Sequence, residues 1–301
     1  MGKIKIKWER AAVTFCAFSI ILAASLLFHW WEVILFPSFK IVGRAYAESG
    51  RPGKNFAALV GRERLGYRIY WMGIPVGHAE LRTNMEEDGE GNEILHFSSV
   101  GKTTGLFSVL HYIDDQIDSY FDPVSLRPIS YRVQQWKGDH WNNKRVDFYH
   151  SEGKAVYVRN REDPVEFDLV PGAQDPLSLL FYIRRQEIEV GRSLKVQSFI
   201  RRKNAAITVS VLNEVAIQTK FGTLKTYHLS PSSGNKSIFK KTGHIDVWLT
   251  ADKRKVPVRI ESKVAIGVMT AVLVKIDTRT ARFLRRVKTR ESGKPHVVIP
   301  L

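Results

Sequence analysis

Arg64-Leu65-Gly66-Tyr67-Arg68-Ile69-Tyr70-Trp71 is the stretch from which the rest of the chain is read. Leu65, Tyr67, Ile69 and Trp71 alternate with Arg64, Gly66, Arg68 and Tyr70. Successive strand side chains point to opposite sheet faces, so this period of two predicts a strand with one apolar face. Gly73-Ile74-Pro75 interrupts the pattern, and Ala79, Leu81 and Thr83 resume it, which predicts a hairpin. Residues 86–92 (EEDGEGN) read as a polar turn, and residues 94–100 as a third strand.

The same reading extends to the end of the body. Strands are predicted at 116–121, 129–135, 145–149, 155–159, 194–200, 206–216 and 223–229, then at 244–250, 256–261 and 268–276. In one late hairpin, Ile245, Val247 and Leu249 share a face, and after the turn at 251–254 so do Val256, Val258 and Ile260. Many short strands separated by turn residues predict a mainly β fold, a curved antiparallel sheet or half-open β-barrel, rather than βαβ units. One segment breaks the pattern. Asp175-Pro176 followed by Leu-Ser-Leu-Leu-Phe-Tyr-Ile-Arg-Arg has an N-cap aspartate and a proline at the first helical position. It predicts one helix at about 175–187, apolar nearly all round and therefore buried. Arg184 and Arg185 complement the dipole near its C-terminus.

The chain has 301 residues, enough to bury a core without disulfides or metals. Its single cysteine, Cys16, lies in an N-terminal apolar run, so the body has no thiol for a disulfide or a cysteine-based zinc site. The formal charge is +16; residues 1–47 hold six basic and two acidic residues, leaving 40 basic against 28 acidic in the rest. That balance suits anionic partners such as phospholipid headgroups or acidic polysaccharide, and equally suits plain solubility.

Lys3, Lys5, Lys7 and Arg10 precede an uncharged apolar run at residues 11–28. A basic stretch followed by an apolar one is the start of a secretory signal or membrane anchor. At about 1.5 Å per residue the run covers roughly 27 Å, close to the hydrocarbon thickness of a bilayer. Ala45-Tyr46-Ala47 supplies a small-residue cleavage site, but residues 29–44 separate it from the run, and Trp30-Trp31 resemble an interfacial belt. Two readings stand: a signal cleaved near Ala47, giving a soluble periplasmic protein, or an inner-membrane anchor at about residues 11–31. A later translation start is a third. Cys16 sits mid-run, which argues against a lipoprotein. The predicted organisation is a signal peptide or signal anchor at 1–47, a linker at 48–62, a β-rich envelope domain at 63–278 and a basic tail at 279–301.

Several separated stretches carry a resemblance. They are GYRIYWMGIPVGHAEL at 66–81, GLFSVLHYIDDQIDSYF at 105–121 and DPLSLLFYIRR at 175–185. Phe221-Gly222-Thr223-Leu224 and VWLTADKRKVPVRI at 247–260, followed by Gly267, continue the series in register. Over roughly residues 62–277 the chain resembles the bacterial exported family known as domain of unknown function 3108. The resemblance implies an envelope protein of diderm bacteria. It also implies a fold similar to the half-open barrel of lipoprotein carriers, with a helix against the concave face. The family has no established reaction, so no catalytic residue carries over.

Chemical motifs are sparse. The body histidines (His78, His96, His111, His140, His150, His228, His244 and His296) form no H-x-H or H-E-x-x-H pattern. There is no G-x-S-x-G, Walker loop or G-x-G-x-x-G. Asp114, Asp115 and Asp118 lack the glycine and terminal glutamate of an EF-hand loop. No catalytic residue, metal site or cofactor is expected. The aromatics Tyr67, Trp71, Tyr131, Trp136, Trp141, Tyr182 and Trp248 lie in or beside strands and the helix. On a curved sheet such residues make a dry core or line an apolar pocket. The expected pocket lining is Tyr67, Ile69, Trp71, Tyr131, Val133, Leu180, Phe181 and Trp248. Three functions follow, in descending order: a non-enzymatic carrier of a lipid, lipoprotein or other amphipathic envelope component; a scaffold binding envelope polysaccharide or a protein assembly; and a glycan or lipid hydrolase. An anionic membrane surface is a further possible partner, and nucleic acid is not expected.

Overall fold

The computed structural model describes residues 62–110, 112–137, 140–234, 244–264, 266–277 and 298–299. The expected signal or anchor at 1–47, with its apolar run at 11–28 and candidate cleavage site at Ala45-Tyr46-Ala47, the expected linker through residue 61 and most of the basic tail lie outside the described residues. Among the described residues no helix is long and apolar enough to cross a membrane.

The first half of the chain forms a meander of β1 (Arg62–Trp71), β2 (Ile74–Glu87), β3 (Glu93–Thr103), β4 (Ile113–Asp122), β5 (Arg127–Lys137), β6 (His140–Tyr149), β7 (Lys154–Arg159) and β8 (Val165–Asp168). A short helix, α1 (Leu106–Leu110), joins β3 to β4, and the longer α2 (Pro176–Arg185) follows β8. The second half holds β9 (Ser193–Ile200), β10 (Lys203–Thr219), β11 (Gly222–Ser233), β12 (Ile245–Thr250), β13 (Pro257–Lys263), β14 (Val268–Ile276) and the two-residue β15 (Val298–Ile299). Hydrogen bonding orders them β15-β10-β11-β12-β13-β14-β1-β2-β3-β4-β5-β6-β7-β8, with β9 also on β10. All pairings are antiparallel except β10 with β15. The predicted curved antiparallel sheet is therefore the observed architecture, and it does not close. Neither β8 nor α1 was expected from the pattern, and α2 ends at Arg185 rather than near residue 187.

Turn chemistry explains the first hairpin. Met72 and Gly73 both have positive φ (50° and 82°), as a two-residue hairpin turn compatible with strand twist requires. Pro75 then sits where the β1–β2 register shifts, between Ile69 and Tyr70, a position in a strand that tolerates a residue without an N–H. Gly77 has a steric cause, since a Cβ there would lie 2.4 Å from the Lys102 carbonyl oxygen on β3.

Cross-strand register defines two faces. Ile69, Ala271, Ile260, Val247 and Leu229 form one continuous row of paired positions on the concave face. Arg68, Val272, Arg259, Trp248 and His228 form the neighbouring row, on the convex face. A second concave row runs Glu63, Thr83, Phe97, Ser119, Tyr131, Val146 and Tyr157. The free edges come together through a strap at residues 169–174. Gln174 bridges Ser198 of β9, and the Asn204 side chain donates to the Asp168 carbonyl (2.7 Å) and accepts from Val170 N–H (3.1 Å).

Candidate functional site

The concave face and the helix laid across it make the candidate site. Asp175 caps α2: its Oδ1 accepts from Leu177 N–H (2.7 Å) and Ser178 N–H (2.9 Å), while Ser178 Oγ accepts from Asp175 N–H (3.0 Å). The other carboxylate oxygen accepts from Ser119 Oγ on β4 at 2.6 Å. Burial pushes the Asp175 carboxyl above the usual range, against the downward pull of those hydrogen bonds. One and a half turns on, Phe181 stacks on Phe97 of β3 with ring centroids 3.8 Å apart and planes 4° from parallel. At the far end Arg184 reaches Glu63 of β1 (Nη1–Oε2 2.8 Å, Nη2–Oε1 3.0 Å) and donates to the Arg254 carbonyl.

These three contacts fall on one register row of the sheet. Asp175 to Arg184 spans about 13.5 Å at 1.5 Å per residue. Ser119 to Glu63 spans three strand spacings, about 14 Å. The helix length thus matches the strands it crosses, and α2 lies across β1–β4 with both ends pinned by polar groups.

Seven of the eight expected lining residues divide between this concave face and the helix. Tyr67, Ile69, Tyr131 and Val133 are buried on the sheet, and Leu180 and Phe181 are buried on α2. The Tyr67 hydroxyl donates to the Pro257 carbonyl at 2.8 Å; burial first, and Glu63 second, hold its pKa well above the usual range. Trp71 ends the row at one rim, where its indole N–H donates to the Ile266 carbonyl (2.8 Å) and its ring meets Phe107 edge-on. Trp248 stands apart. It is buried on the convex face, stacked on His228 (4.4 Å) with the Arg259 guanidinium over its ring (5.5 Å).

Sequence reasoning missed two features of this face. Glu63 and Arg184 are both buried and paired, although neither carries a local signal beyond its charge. A polar lining also occupies the concave face of β4–β7. Asn142 Nδ2 donates to Gln135 Oε1 (3.2 Å), and Arg159 Nε donates to Asn142 Oδ1 (3.3 Å). Asp115, Gln135, Lys144 and Arg159 there are all nearly withdrawn from water. The alternation of Lys144 with Val146 was the available signal, since it places a lysine on the inward face of β6.

The convex face carries histidine–carboxylate clusters. His96 Nδ1 lies 2.7 Å from Glu86 and Nε2 lies 2.8 Å from Asp118. Burial lowers the His96 pKa, but the hydrogen bonds that the ring donates to Asp118 and Glu86 outweigh it and the net shift is upward. Ser230, His244 and Asp246 also meet, but Ser230 Oγ (3.1 Å) and Asp246 Oδ1 (3.2 Å) approach the same His244 nitrogen, Nε2. A catalytic triad needs serine and carboxylate on opposite ring nitrogens, so this trio is not arranged as one. His111, Asp139 and the His140 side chain lie outside what is described. Among the described residues no group of three His, Cys, Asp or Glu side chains is placed to hold a metal ion.

The geometry defines a class: an open, curled antiparallel sheet whose concave face is occupied by its own helix. Residues 66–274 match the family described as Protein of unknown function (DUF3108), and the chain belongs to that family. No curated protein matches the sequence significantly. Among solved structures, the chain is similar to a beta-barrel-like protein of domain of unknown function DUF1849 from Brucella abortus. The TM-score is 0.50 and the identity 12%, covering 72% of this chain and 98% of that one. It is more distantly similar to a porin-like protein from Bacteroides uniformis, with TM-score 0.26 and 10% identity over 72% of this chain and 98% of that one. The first likeness supports the barrel-like fold.

Proposed function

We propose that this is a non-enzymatic cell-envelope protein, working outside the inner membrane, that binds an amphipathic lipid or lipoprotein-like component at its concave face. The observation that carries the reading is the adjacency of two linings on that face. Apolar rows including Tyr67, Ile69, Tyr131 and Val133 adjoin a polar patch holding Lys144 and Arg159, 6% and 9% exposed. Charged groups of both signs, Lys144, Arg159 and Asp115, are held almost out of water there and make this patch the polar end of an otherwise apolar face. Its cations would meet the anionic head of a molecule whose acyl part lies on the apolar floor. Helix α2 covers the floor, held by Asp175–Ser119 at one end and Arg184–Glu63 at the other. A ligand would displace Leu180 and Phe181 and regain their contacts at about 25 cal/mol per Å² of apolar surface buried.

A scaffold role is the second reading, favoured by the Phe97–Phe181 stack that already fills the space under the helix. Native mass spectrometry of the chain from Glu48, exported to a diderm periplasm and purified without detergent, separates the two. A bound mass that is lost on organic extraction supports the carrier. An unliganded mass, unchanged after incubation with envelope lipids, supports the scaffold and overturns the carrier.

A further inference from the structure

One end of the sheet is apolar in a way that its core does not require. Among the described residues, fourteen large apolar side chains stand exposed, and eight lie in four connections. These are Met72 and Ile74 at the β1–β2 turn; Leu106, Val109 and Tyr112 between β3 and β4; Trp136 and Trp141 flanking the β5–β6 turn; and Ile266 between β13 and β14. In the hydrogen-bonded order β13-β14-β1-β2-β3-β4-β5-β6 these connections are consecutive and at the same strand ends.

Direct contacts join them into one rim. Met72 packs over Gly267 so closely that a Cβ there would lie 2.4 Å from Met72 Cγ. Trp71 holds Ile266 and Phe107 together. Thr104 N–H donates to the Val76 carbonyl (3.0 Å), Asp114 pairs in register with Trp136, and Trp136 lies 6.1 Å from Trp141. Four hairpin ends, each two strand spacings from the next, make an arc of roughly 30 Å. Phe107 faces inward while Leu106 and Val109, 86% and 83% exposed, face water, so α1 presents bare apolar side chains without need of them for packing.

Charge distinguishes the possible occupants. Residues 71–77, 103–113 and 264–269 contain no Asp, Glu, Lys or Arg, and the fourth tip, between Trp136 and Trp141, holds one cation and one anion, Lys137 and Asp139. The cations Lys263 and Lys102, the latter paired with Asp114 at 2.7 Å, lie just behind the tips; residues 63–278 hold 30 basic against 26 acidic residues, and the tail at 279–301 seven against one. Three uncharged tips bearing methionine, tyrosine and aliphatic side chains, beside a fourth flanked by two tryptophans, suit the interfacial zone of a bilayer, and the basic tail adds attraction to an anionic surface. At the opposite strand ends the β2–β3 turn is acidic and polar (EEDGEGNE at 86–93), as a water-facing turn should be.

We infer that this rim is a membrane-docking surface that inserts its tips into the interface of an anionic phospholipid bilayer. Its occupant is the bilayer surface rather than the concave-face ligand, and Trp71, which ends the lining row, borders both. Among the described residues every buried one lies between Glu63 and Leu273, so the chain from Glu48 to Leu301 contains all the contacts described.

That chain is floated with vesicles of phosphatidylethanolamine and phosphatidylglycerol, and with vesicles of phosphatidylcholine alone. Binding to the anionic vesicles is expected, with a blue shift of tryptophan emission from Trp136 and Trp141. L106D/V109D should weaken binding at least tenfold without changing circular dichroism or melting temperature. V124D, equally exposed in the β4–β5 turn, should bind as the parent does. Parent binding that survives L106D/V109D, or no parent binding to anionic vesicles, overturns the inference. So does a parent dimer that L106D/V109D converts to monomer while vesicle binding is absent, which would make the rim a contact between copies of the chain.

Discussion

Arg184 and Glu63, 121 positions apart in the chain, form a two-pronged ion pair with side chains 0% and 2% exposed. The pair ties the end of α2 to the first strand. Arg184 also donates to the Arg254 carbonyl, so the β12–β13 turn joins the same knot. Removing one partner leaves a buried charge without its counter-charge, and E63A is expected to cost about 3–5 kcal/mol. Replacing both, as E63L/R184M, should recover much of that loss. Urea unfolding of the two variants is the check; equal losses would mean that the pair is not coupled.

The other end of α2 depends on Asp175. S119A removes one of three donors to its carboxylate and is expected to cost about 1–2 kcal/mol. D175A loses the cap and the tie to β4 together and should cost more, while D175N should lie between, because burial already disfavours the charged form. Melting temperatures in the order S119A, D175N and D175A, highest first, would support this ranking. Parity of D175N with D175A would show that the charge itself matters.

Phe181 lies flat on Phe97 and is almost fully buried. F181A should cost about 3–5 kcal/mol, the range for deleting a large buried aromatic. An F181A loss near 1 kcal/mol in denaturant would indicate that the space under α2 collapses or is filled by something else.

His96 provides a pH test. Its folded pKa is raised above the ordinary 6.5, so the stabilisation it contributes is fully present below that value and is lost as pH rises through the folded pKa. Asp118 behaves in the opposite sense. Burial raises its pKa and the bonds from His96 and Gln116 more than reverse this, so its contribution is present above about 3.8 and is lost as pH falls through the depressed value. The melting-temperature gap between the parent and H96Q should therefore be wide between these limits and narrow above neutrality. A gap independent of pH would show that the imidazole does not titrate in this range.

Trp248 separates the two faces of the sheet. Because it packs with His228 and Arg259 on the convex side, W248F should leave any copurifying lipid unchanged, whereas K144A/R159A should reduce it. Mass spectrometry of extracted lipid decides this, and a loss in W248F alone would move the ligand to the outside of the sheet.

Much of the architecture was readable from local pattern. The alternation at Leu65–Trp71 found β1, and Asp175-Pro176 found the start of α2, because strand faces and helix caps are set by neighbours a few residues away. The face of Trp248 was also available, since Ile245, Val247 and Leu249 leave it the other side. Its aromatic character suggested a lining residue, but His228 and Arg259 bury it where polarity alone predicts exposure. β8 (Val165–Asp168) was missed because four residues with one strongly apolar pair give too little period to detect. Helix α1 was missed because five residues carry neither a cap signal nor a full apolar stripe.

Strand identity, the one-faced alternation and the position of α2 were thus set within the linear chain, where the interactions responsible are short in range. Which register row α2 crosses, and that Arg184 would find Glu63 there, depended on strand order and sheet curvature. The gathering of Met72, Leu106, Trp136, Trp141 and Ile266 on one rim depended on them too. Those relationships join positions tens to more than a hundred residues apart, and no local periodicity encodes which distant strands become neighbours.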